Sequence, residues 1–366
     1  MAKLIRQYDV IVVGAGPGGS VAAKKCVQNG FKTLLLEKRR LPREKVCTGM
    51  IMGVWAHSII EQEFGNAPKD VLVDPYYLSG HMLHFPGVEP QFIEWQTPIA
   101  WRRDLDFWMN KRAEEEGVEI WDRTRFLGVS QVEGQCRVRV MRDKEEQELG
   151  ARFVIGADGA TSPVRKAVFP GLNVHYMDPM RECYEGSVDL ERDHFHWFFP
   201  KSRPHQRFDI IHKGDVFLIE GSGIGELREE INQTLINRGF DPSSKPLWKD
   251  GCLEPMLHGA LVSGSFSPAL GNVLLIGDAA SLILPITYEG IGPALKSGLL
   301  AAAAISEAAE EGTQAAGAYL REMGSILDRL RGLYSVSKEL VKKAEEGVKT
   351  LSRAMREAYE ETLKIG

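Results

Sequence analysis

Three glycines and one glutamate near the start of the chain are the residues whose types and spacing point most directly to chemistry. They begin after an apolar run of strand length, Tyr8–Val13. Gly14 permits a tight turn, Gly16 lets the backbone approach a pyrophosphate, and Gly19 lets the following helix pack closely on the strand. Glu37 ends the next predicted strand, where its carboxylate can accept both hydroxyls of an adenosine ribose. The pattern predicts a dinucleotide-binding βαβ unit and does not by itself choose between NAD and FAD.

A basic loop follows the second predicted strand and contains a cysteine. It runs from Lys38 to Gly49 and includes Arg43, Lys45 and Cys47. One interpretation is a solvated surface loop. In the other, Arg43 and Lys45 face the phosphates of a cofactor, and Cys47 and Gly49 lie beside its redox-active ring. The residues alone favour the two interpretations equally.

Two later strand ends each carry an aspartate. Asp158 lies in a glycine turn where a second phosphate contact would be built, although Ala-Asp-Gly as a bare tripeptide is only a turn. A buried strand has no structural need for Gly277-Asp278 at its tip, so Asp278 is a ligand candidate. The helix predicted after Gly290 and Ile291 offers free N–H groups that can stabilise a bound anion or a reduced ring.

The composition is ordinary for a globular protein. The chain has 366 residues, 43% of them hydrophobic and 26% charged, with a net charge of −5. The length suits two interleaved domains, and the charge gives no hint of nucleic-acid binding. Five cysteines without a C-x-x-C pair argue against a disulfide framework or a zinc site and for a reducing compartment. The first predicted strand begins early and no apolar run reaches about 18 residues, so we expect a cytoplasmic protein without a signal peptide or membrane span, with peripheral membrane contact left open.

Periodicity predicts the elements that position these residues. Helices are predicted at 20–29, 51–70, 102–117 and 226–238 and in an alanine-rich run to about residue 310, and strands at 8–13, 32–37, 118–121, 125–132, 136–142, 147–149 and 151–156. Residues 176–223 predict the main strands of a second, antiparallel sheet. The aromatic-rich residues 71–97 are either a wall for a large apolar substrate or ordinary sheet core. From Leu320 onward the apolar spacing predicts a helical hairpin packed on the body, a dimer seam or a membrane-resting helix.

Together these motifs resemble the geranylgeranyl reductase family, within the FAD-dependent oxidoreductases that share the p-hydroxybenzoate hydroxylase fold. The resemblance covers roughly residues 7–310. It rests on the Gly14–Gly19 loop with Glu37, Lys45-x-Cys47-x-Gly49, Arg102-x-x-Leu105-Asp106, Gly156-Ala-Asp-Gly159, Trp197-x-Phe199-Pro200, Gly277-Asp-Ala-Ala280 and Thr287-Tyr-Glu-Gly-Ile291.

Two regions separate the branches of this fold. After Gly-Asp-Ala-Ala, aromatic hydroxylases carry His, then Gly-Gln-Gly and Asn, where this chain has Ser281, Tyr288-Glu289-Gly290 and Gly292. Flavin halogenases carry Trp-x-Trp-x-Ile-Pro, whereas Phe195 and Phe199 stand here at the first Trp and the Ile, as in the reductases. Tyr288 departs from the reductases' Thr-Gly-Glu-Gly, and we expect it close to the flavin.

The resemblance implies an α/β fold in which an FAD-binding Rossmann-like domain of the glutathione reductase type is interleaved with an antiparallel-sheet substrate domain. C-terminal helices follow. The FAD-binding domain would comprise residues 1–75, 98–175 and 268–317, the substrate domain 76–97 and 176–267, and the helical segment 318–366.

The resemblance also implies FAD as the cofactor and assigns residues to it. Glu37 would bind the ribose, Asp278 would hold the ribitol, and Gly290-Ile291 would face the pyrimidine edge of the ring. Cys47 and Gly49 would approach the isoalloxazine. The full expected cofactor-binding set is Gly14, Gly16, Gly19, Glu37, Lys38, Cys47, Gly49, Arg102, Asp158, Gly277, Asp278, Gly290 and Ile291, and no metal is expected.

The implied reaction is hydride transfer from reduced flavin to one alkene carbon of a polyprenyl lipid or similar apolar substrate, with a proton added to the other carbon. Cys47 is the candidate proton donor, and Trp197 and Tyr288 complete the expected catalytic set. Electrons would come from NAD(P)H or a reduced redox protein. The alternatives are an FAD-dependent monooxygenase or halogenase of the same fold and a non-catalytic, electron-carrying flavoprotein.

Overall fold

The computed structural model of the chain describes residues 5–203 and 206–365, so residues 1–4, 204–205 and 366 of the expected domain ranges lie outside the described residues. The strands are β1 (Arg6–Val13), β2 (Thr33–Leu36), β3 (Leu72–His84), β4 (Gln91–Ala100), β5 (Glu119–Trp121), β6 (Thr124–Val132), β7 (Gln135–Arg142), β8 (Glu145–Gly156), β9 (Tyr176–Met177), β10 (Met180–Glu185), β11 (His194–Phe198), β12 (Phe208–Lys213), β13 (Val216–Gly221), β14 (Trp248–Gly251), β15 (Glu254–Pro255), β16 (Ala269–Leu270) and β17 (Val273–Leu275).

The helices are α1 (Pro17–Gln28), α2 (Gly53–Phe64), α3 (Arg102–Glu116), α4 (Pro163–Val168), α5 (Arg228–Ile236), α6 (His258–Ser263), α7 (Ile291–Glu311), α8 (Ala315–Glu322), α9 (Gly324–Glu346) and α10 (Val348–Leu363). A 3₁₀ turn, Gly277–Ala280, follows β17. In this part of the chain, no helix combines the length and the apolar character needed to cross a bilayer. The predicted α/β class is confirmed.

The first sheet is mostly parallel, and its strand ends carry the glycine and acid motifs. Its order is β16-β17-β8-β1-β2-β5, with β7 and β6 continuing from β8. β1 runs parallel to both β2 and β8, and β17 runs parallel to β8. The central strands are unbroken apolar runs because they are buried on both faces. The carboxyl ends of four strands therefore meet at one edge, at Gly14, Glu37, Ala157 and Gly277.

Residues 145–156 form one strand where the sequence predicted two, at 147–149 and 151–156. β8 pairs with β7 in antiparallel fashion through its first half and with β1 in parallel fashion through its second. Gly150 lies at the predicted gap, and a Cβ there would lie 2.2 Å from Oε1 of Gln7. The glycine therefore allows a close contact with β1 and does not break the strand.

The second sheet brings together the two aromatic-rich regions of the sequence. Its order is β14-β10-β13-β12-β11-β3-β4. The pairs are antiparallel except for β11 and β3, which run parallel. The predicted antiparallel sheet is thus present with one parallel pair. Residues 242–268, predicted to be mostly irregular, contribute its edge strand β14 and also contain β15 and α6.

The two faces of the second sheet belong to different cores, as the two-residue period of a strand requires. The face toward the first sheet carries Cys183, Phe195, Trp197, Ile211 and Leu218. The opposite face carries Tyr184, Phe198, Ile210, Phe217 and Ile219, which pack with Ile231 and Leu235 of α5. Side chains on the first of these faces are the ones placed to meet a ligand held between the sheets.

The C-terminal helices α9 and α10 form a hairpin that packs on the body. Tyr359 of α10 is buried, with its ring edge-on to Trp197 at 4.4 Å between centroids. Its hydroxyl is hydrogen-bonded to Nδ1 of His81 at 2.7 Å, and Nε2 of His81 lies 3.1 Å from Oγ1 of Thr97. Burial, with a smaller contribution from His194, lowers the pKa of His81 to about 3, so this ring is neutral and joins α10 to the sheet.

We expect Tyr359→Phe to lower the free energy of unfolding by about 1–3 kcal/mol, because Nδ1 of His81 would stay buried without its hydrogen-bond partner. Tyr359→Ala should cost about 3–5 kcal/mol by also leaving a cavity against Trp197. Urea unfolding followed by circular dichroism measures both. Tyr77→Phe is the control, since Tyr77 lies on the same sheet but is 45% exposed. Equal losses from Tyr77→Phe and Tyr359→Phe would contradict the assignment.

Candidate active site

A cavity of about 800 Å³ lies between the two sheets. Its wall is formed by the turns after β1, β2, β8 and β17, the start of α7, one face of the second sheet, and α9 and α10. Most residues singled out in the sequence line it: Gly14, Gly16, Gly19, Glu37, Lys38, Cys47, Arg102, Asp158, Gly277, Asp278, Tyr288, Gly290 and Ile291. Gly49 and Trp197 lie behind the cavity surface. The structure therefore brings segments from the whole length of the chain to one place.

The glycine turn puts the N-terminus of α1 on the cavity wall. Gly14 has φ +110°, and a Cβ there would lie 2.3 Å from the carbonyl oxygen of Ala157. A Cβ at Gly19 would lie 1.9 Å from the carbonyl oxygen of Gly14, so helix and strand pack too closely for any side chain. Gly16 is open by comparison, with Nη2 of Arg43 at 3.6 Å from its Cβ position. The first N–H groups of α1 carry no side-chain cap and face the cavity as an anion site.

Glu37 is buried at the end of β2 and is held by three donors. Its Oε2 accepts from the Ala15 amide at 3.3 Å and from Nε of Arg43 at 2.9 Å, and its Oε1 accepts from the Arg39 amide at 2.9 Å. Only 4% of the residue is exposed. The carboxylate is thus fixed beside the glycine turn, where the adenosine ribose of a dinucleotide would lie.

An ion-pair chain extends from Glu37 toward the basic loop. Nη1 of Arg43 lies 3.1 Å from Oδ2 of Asp106, which also accepts from Nη2 of Arg102 at 3.0 Å. Nε of Arg102 donates to Oδ1 of Asp106 at 2.8 Å. Burial lowers the pKa of Arg102. Asp106 and, to a smaller extent, Cys47 raise the pKa by more than burial lowers it, so the net shift is upward. A cation is therefore held on the wall between the glycine turn and Cys47.

The loop that carries Cys47 is fixed through its backbone to the second sheet. The Cys47 carbonyl accepts from Nη1 of Arg181 at 2.6 Å, and the Thr48 carbonyl accepts from Nζ of Lys213 at 2.7 Å. The Cys47 sulfur accepts from the Gly49 amide at 3.4 Å. Gly49 has φ +76° and packs against the end of β4. This loop is therefore built into the fold and is not a freely solvated segment.

Asp158 uses its side chain within the fold. It accepts from Oγ of Ser162 at 2.5 Å and from the Val164 amide at 2.9 Å. Burial raises its pKa, although these hydrogen bonds act in the opposite direction. The carboxylate holds the first turn of α4, and the Ala157–Gly159 turn lines the cavity.

Asp278 and the N-terminus of α7 share the opposite wall. Oδ2 of Asp278 lies 3.7 Å from Nζ of Lys45, which links the two turns. A Cβ at Gly290 would lie 3.2 Å from Oδ1 of Asp278, so the backbone at the start of α7 closely approaches this carboxylate. Oε1 of Glu289 accepts from the Gly292 amide at 2.7 Å and fixes the first turn of the helix.

Of the three expected catalytic residues, two lie on the cavity surface and one lies behind it. Cys47 and Tyr288 line the cavity. Tyr288 has φ +55°, and burial raises its pKa. Trp197 is 1% exposed and lies beneath the guanidinium of Arg207, which is 3.8 Å from its ring centroid and 5.2 Å from that of Tyr288. Phe195 and Phe199, the neighbours of Trp197 on the same face, reach the cavity surface instead.

Sequence reasoning missed several charged residues on the cavity wall. They are Arg181, Arg207, Asp209, Glu220 and Glu254. Burial, followed by Asp278, raises the pKa of Glu254 to about 7. The one local signal was the alternation of charged residues in Arg207-x-Asp209, but the pairing that places these strands side by side is not readable from one sequence.

Comparisons with known proteins agree with this geometry. Residues 7–194 match the family model described as FAD binding domain. The chain is 30% identical over 328 residues to digeranylgeranylglycerophospholipid reductase 2 of Methanopyrus kandleri, with 83% of this chain and 78% of that protein covered.

Solved structures share the fold at lower identity. A geranylgeranyl bacteriochlorophyll reductase-like protein from Thermoplasma acidophilum aligns with a TM-score of 0.80 at 22% identity, over 98% of this chain and 97% of its own. A variant of the flavin-dependent brominase Bmp2 aligns with a TM-score of 0.73 at 18% identity, over 96% and 94%. These likenesses show the fold alone.

The residues on the wall fit FAD. The open backbone at Gly16 and the uncapped start of α1 suit a pyrophosphate, the fixed carboxylate of Glu37 suits a ribose, and the start of α7 suits an electron-rich ring edge. When bound, FAD supplies hydride transfer and two-electron redox chemistry.

We expect Glu37→Ala and Asp278→Ala each to weaken FAD binding by about 1.5–3 kcal/mol, because each removes a charged hydrogen-bond acceptor. Asp278→Ala should have the larger effect, since this side chain is nearer the proposed ring site. Fluorescence titration of the apoprotein with FAD measures the change. The control is Glu115→Ala, whose side chain is 63% exposed near the end of α3 and does not line the cavity. Wild-type affinity in either test variant would remove that residue from the cofactor site.

Proposed function

The chain belongs to the geranylgeranyl reductase family of FAD-dependent oxidoreductases, and on that premise we propose that it saturates carbon–carbon double bonds of a polyprenyl lipid. The observation that carries the proposal is the continuity of one cavity. The cavity begins at the glycine turn and ends between the second sheet and the C-terminal helices. A cofactor at one end and an apolar chain at the other would therefore meet inside it.

The end of the cavity away from the glycine turn is suited to an apolar ligand. It is lined by Phe195, Phe199, Ile283, Ile286, Leu340, Val341, Leu351 and Met355. Long aliphatic chains bind by burial of apolar surface, at roughly 25 cal/mol per Å² removed from water.

Val341 of α9 is 55% exposed and also lines the cavity, so an apolar chain could reach the interior from this helix. We propose that α9 is where the protein meets a lipid surface.

Several groups would then serve the reaction without forming bonds to the substrate. The N–H groups at the start of α7 would stabilise negative charge on the cofactor ring, as helix N-termini do for anions. Cys47 and Tyr288 would lie on the two sides of the reacting face. Trp197, behind the cavity surface, would support Phe195 and Phe199. Electrons would enter from NAD(P)H or a reduced redox protein.

The test is a single turnover without oxygen. The FAD-loaded protein is reduced with dithionite and mixed with digeranylgeranylglycerophospholipid in detergent micelles. We expect the flavin absorbance to return and mass spectrometry to show added hydrogen in the lipid. The control is the same phospholipid with its prenyl chains fully saturated beforehand. It offers no double bond to accept electrons and should leave the protein reduced.

Two outcomes would contradict the proposal. Reoxidation only in air with an oxygenated or halogenated product would assign the protein to the monooxygenases or halogenases. Absence of lipid-dependent reoxidation under either condition would favour an electron-carrying flavoprotein.

A further inference from the structure

A row of five side chains, four of them charged, crosses the second sheet on the face toward the cavity. The strand register places Trp197 beside Asp209, Asp209 beside Glu220, Glu220 beside Arg181, and Arg181 beside Asp250. Directly opposed residues in antiparallel strands have Cβ atoms about 4.5–5.5 Å apart. The middle three residues all line the cavity and are at most 8% exposed. Two carboxyl groups are therefore neighbours on the floor of the cavity.

This carboxyl pair lies between the two turns that carry Cys47 and Tyr288. On one side, Arg181 donates to the Cys47 carbonyl at 2.6 Å. On the other side, Nε of Arg207 lies 3.1 Å from Oδ1 of Asp209, and its guanidinium is 5.2 Å from the Tyr288 ring. The floor between these turns is where a substrate would meet the cofactor ring.

Glu220 has the features of an acid in this position. Its Oε1 is buried and has no hydrogen-bond partner among the described residues. Burial raises its pKa; Arg181 and Lys213 oppose the shift, and Asp209 and Asp250 add to it. Burial also raises the pKa of Asp209 to about 6, against the effect of Arg207. The charged and titratable groups that face the pair are Arg181 of β10, Arg207 just before β12, Lys213 of β12, Asp250 of β14 and Tyr359 of α10.

The following inference rests on the proposed function. We propose that Glu220 is the catalytic acid that protonates the alkene, with Asp209 as its positioning residue. The alkene takes up a hydride from the bound cofactor at one carbon, which oxidises the cofactor by two electrons. The O–H bond of Glu220 breaks, and its proton forms the new C–H bond at the other carbon. The resulting carboxylate lies near Arg181 and Lys213, which stabilise it until water returns a proton.

This assignment gives Glu220 the role that the sequence suggested for Cys47. The Cys47 sulfur accepts a hydrogen bond from the Gly49 amide, and its loop contacts the second sheet through backbone carbonyls. Cys47 then contributes to the shape of the reacting face, while the proton comes from the sheet below it.

The decisive variant is Glu220→Gln, which keeps the shape of the side chain and removes its proton. We expect it to bind FAD and to be reduced by dithionite like the wild type. Its anaerobic reoxidation by digeranylgeranylglycerophospholipid should be about 10²–10⁴-fold slower. The wild-type rate should fall as pH rises through the pKa of Glu220, and the variant should lose this dependence. Glu220→Asp should recover part of the rate because it restores an acid.

The matched control is Glu182→Gln. Glu182 is buried on β10, next to Arg181 in sequence, but pairs with Arg228 and Lys249 and does not line the cavity. Its removal should leave the reoxidation rate within a few-fold of wild type. A wild-type rate in Glu220→Gln together with a slow Cys47→Ala variant would overturn the inference and make Cys47 the donor.

Infrared spectroscopy provides a readout that does not depend on turnover. Buried carboxyl groups with raised pKa, such as Glu254, contribute to the spectra of both proteins. We therefore expect the difference between the spectra of oxidised wild type and Glu220→Gln at neutral pH to contain the C=O band of a buried carboxylic acid. A difference spectrum without such a band would overturn the inference, whether or not the protein is active. Failure of the lipid to reoxidise the wild type would instead refute the proposed function, and the infrared band would still decide whether Glu220 is protonated.

Discussion

The close contact between the Gly14 carbonyl and Gly19 is the constraint on which the rest of the site depends. It sets the direction of α1 against β1 and so points the N-terminus of α1 into the cavity. The same helix carries Gly18, whose Cβ position lies 2.8 Å from the Ala294 carbonyl of α7. A Cβ at Gly298 would lie 2.7 Å from the Gly18 carbonyl. The two helices therefore cross at glycines, and both positive helix ends converge on one cavity.

Buried cations of the second sheet bind backbone carbonyls of the loop that carries Cys47 and of the end of β4. Lys213 donates to the carbonyls of Thr48 and Ala100, both at 2.7 Å, and Arg181 donates to that of Cys47. Burial lowers the pKa of Lys213, which reflects the cost of removing its charge from water. Apolar surfaces can slide over each other, whereas a buried cation without its acceptors is expensive. These contacts therefore fix the position of the Cys47 loop over the sheet.

Local motifs made the first sheet predictable, and long-range pairing made the second sheet hard to predict. The glycine turn, Glu37 and Asp278 lie at strand ends, and the parallel order of β1, β2, β8 and β17 follows from the βαβ pattern. The neighbours of Asp209 and Glu220 depend instead on the register of strands joined by different turns.

Two further contacts show the same limit. Tyr359 meets His81 across 278 residues, and no periodicity in α10 indicates that partner. Trp197 belongs to a recognisable motif, yet only the structure shows that Arg207 covers it. Sequence patterns identified residue types that matter, and tertiary packing decided which of them reach the cavity.

The apolar end of the cavity, closed by α9 and α10, has a consequence for the course of the proposed reaction. Saturating a double bond adds two hydrogens and hardly changes the apolar area of a polyprenyl chain, so such a wall holds product almost as tightly as substrate. Only one double bond at a time can lie above the carboxyl pair, and the chain must shift along the wall between reductions. The number of bonds saturated per encounter is then a competition between chain release and cofactor re-reduction. Scarce reductant would make the enzyme distributive, and abundant reductant would make it processive.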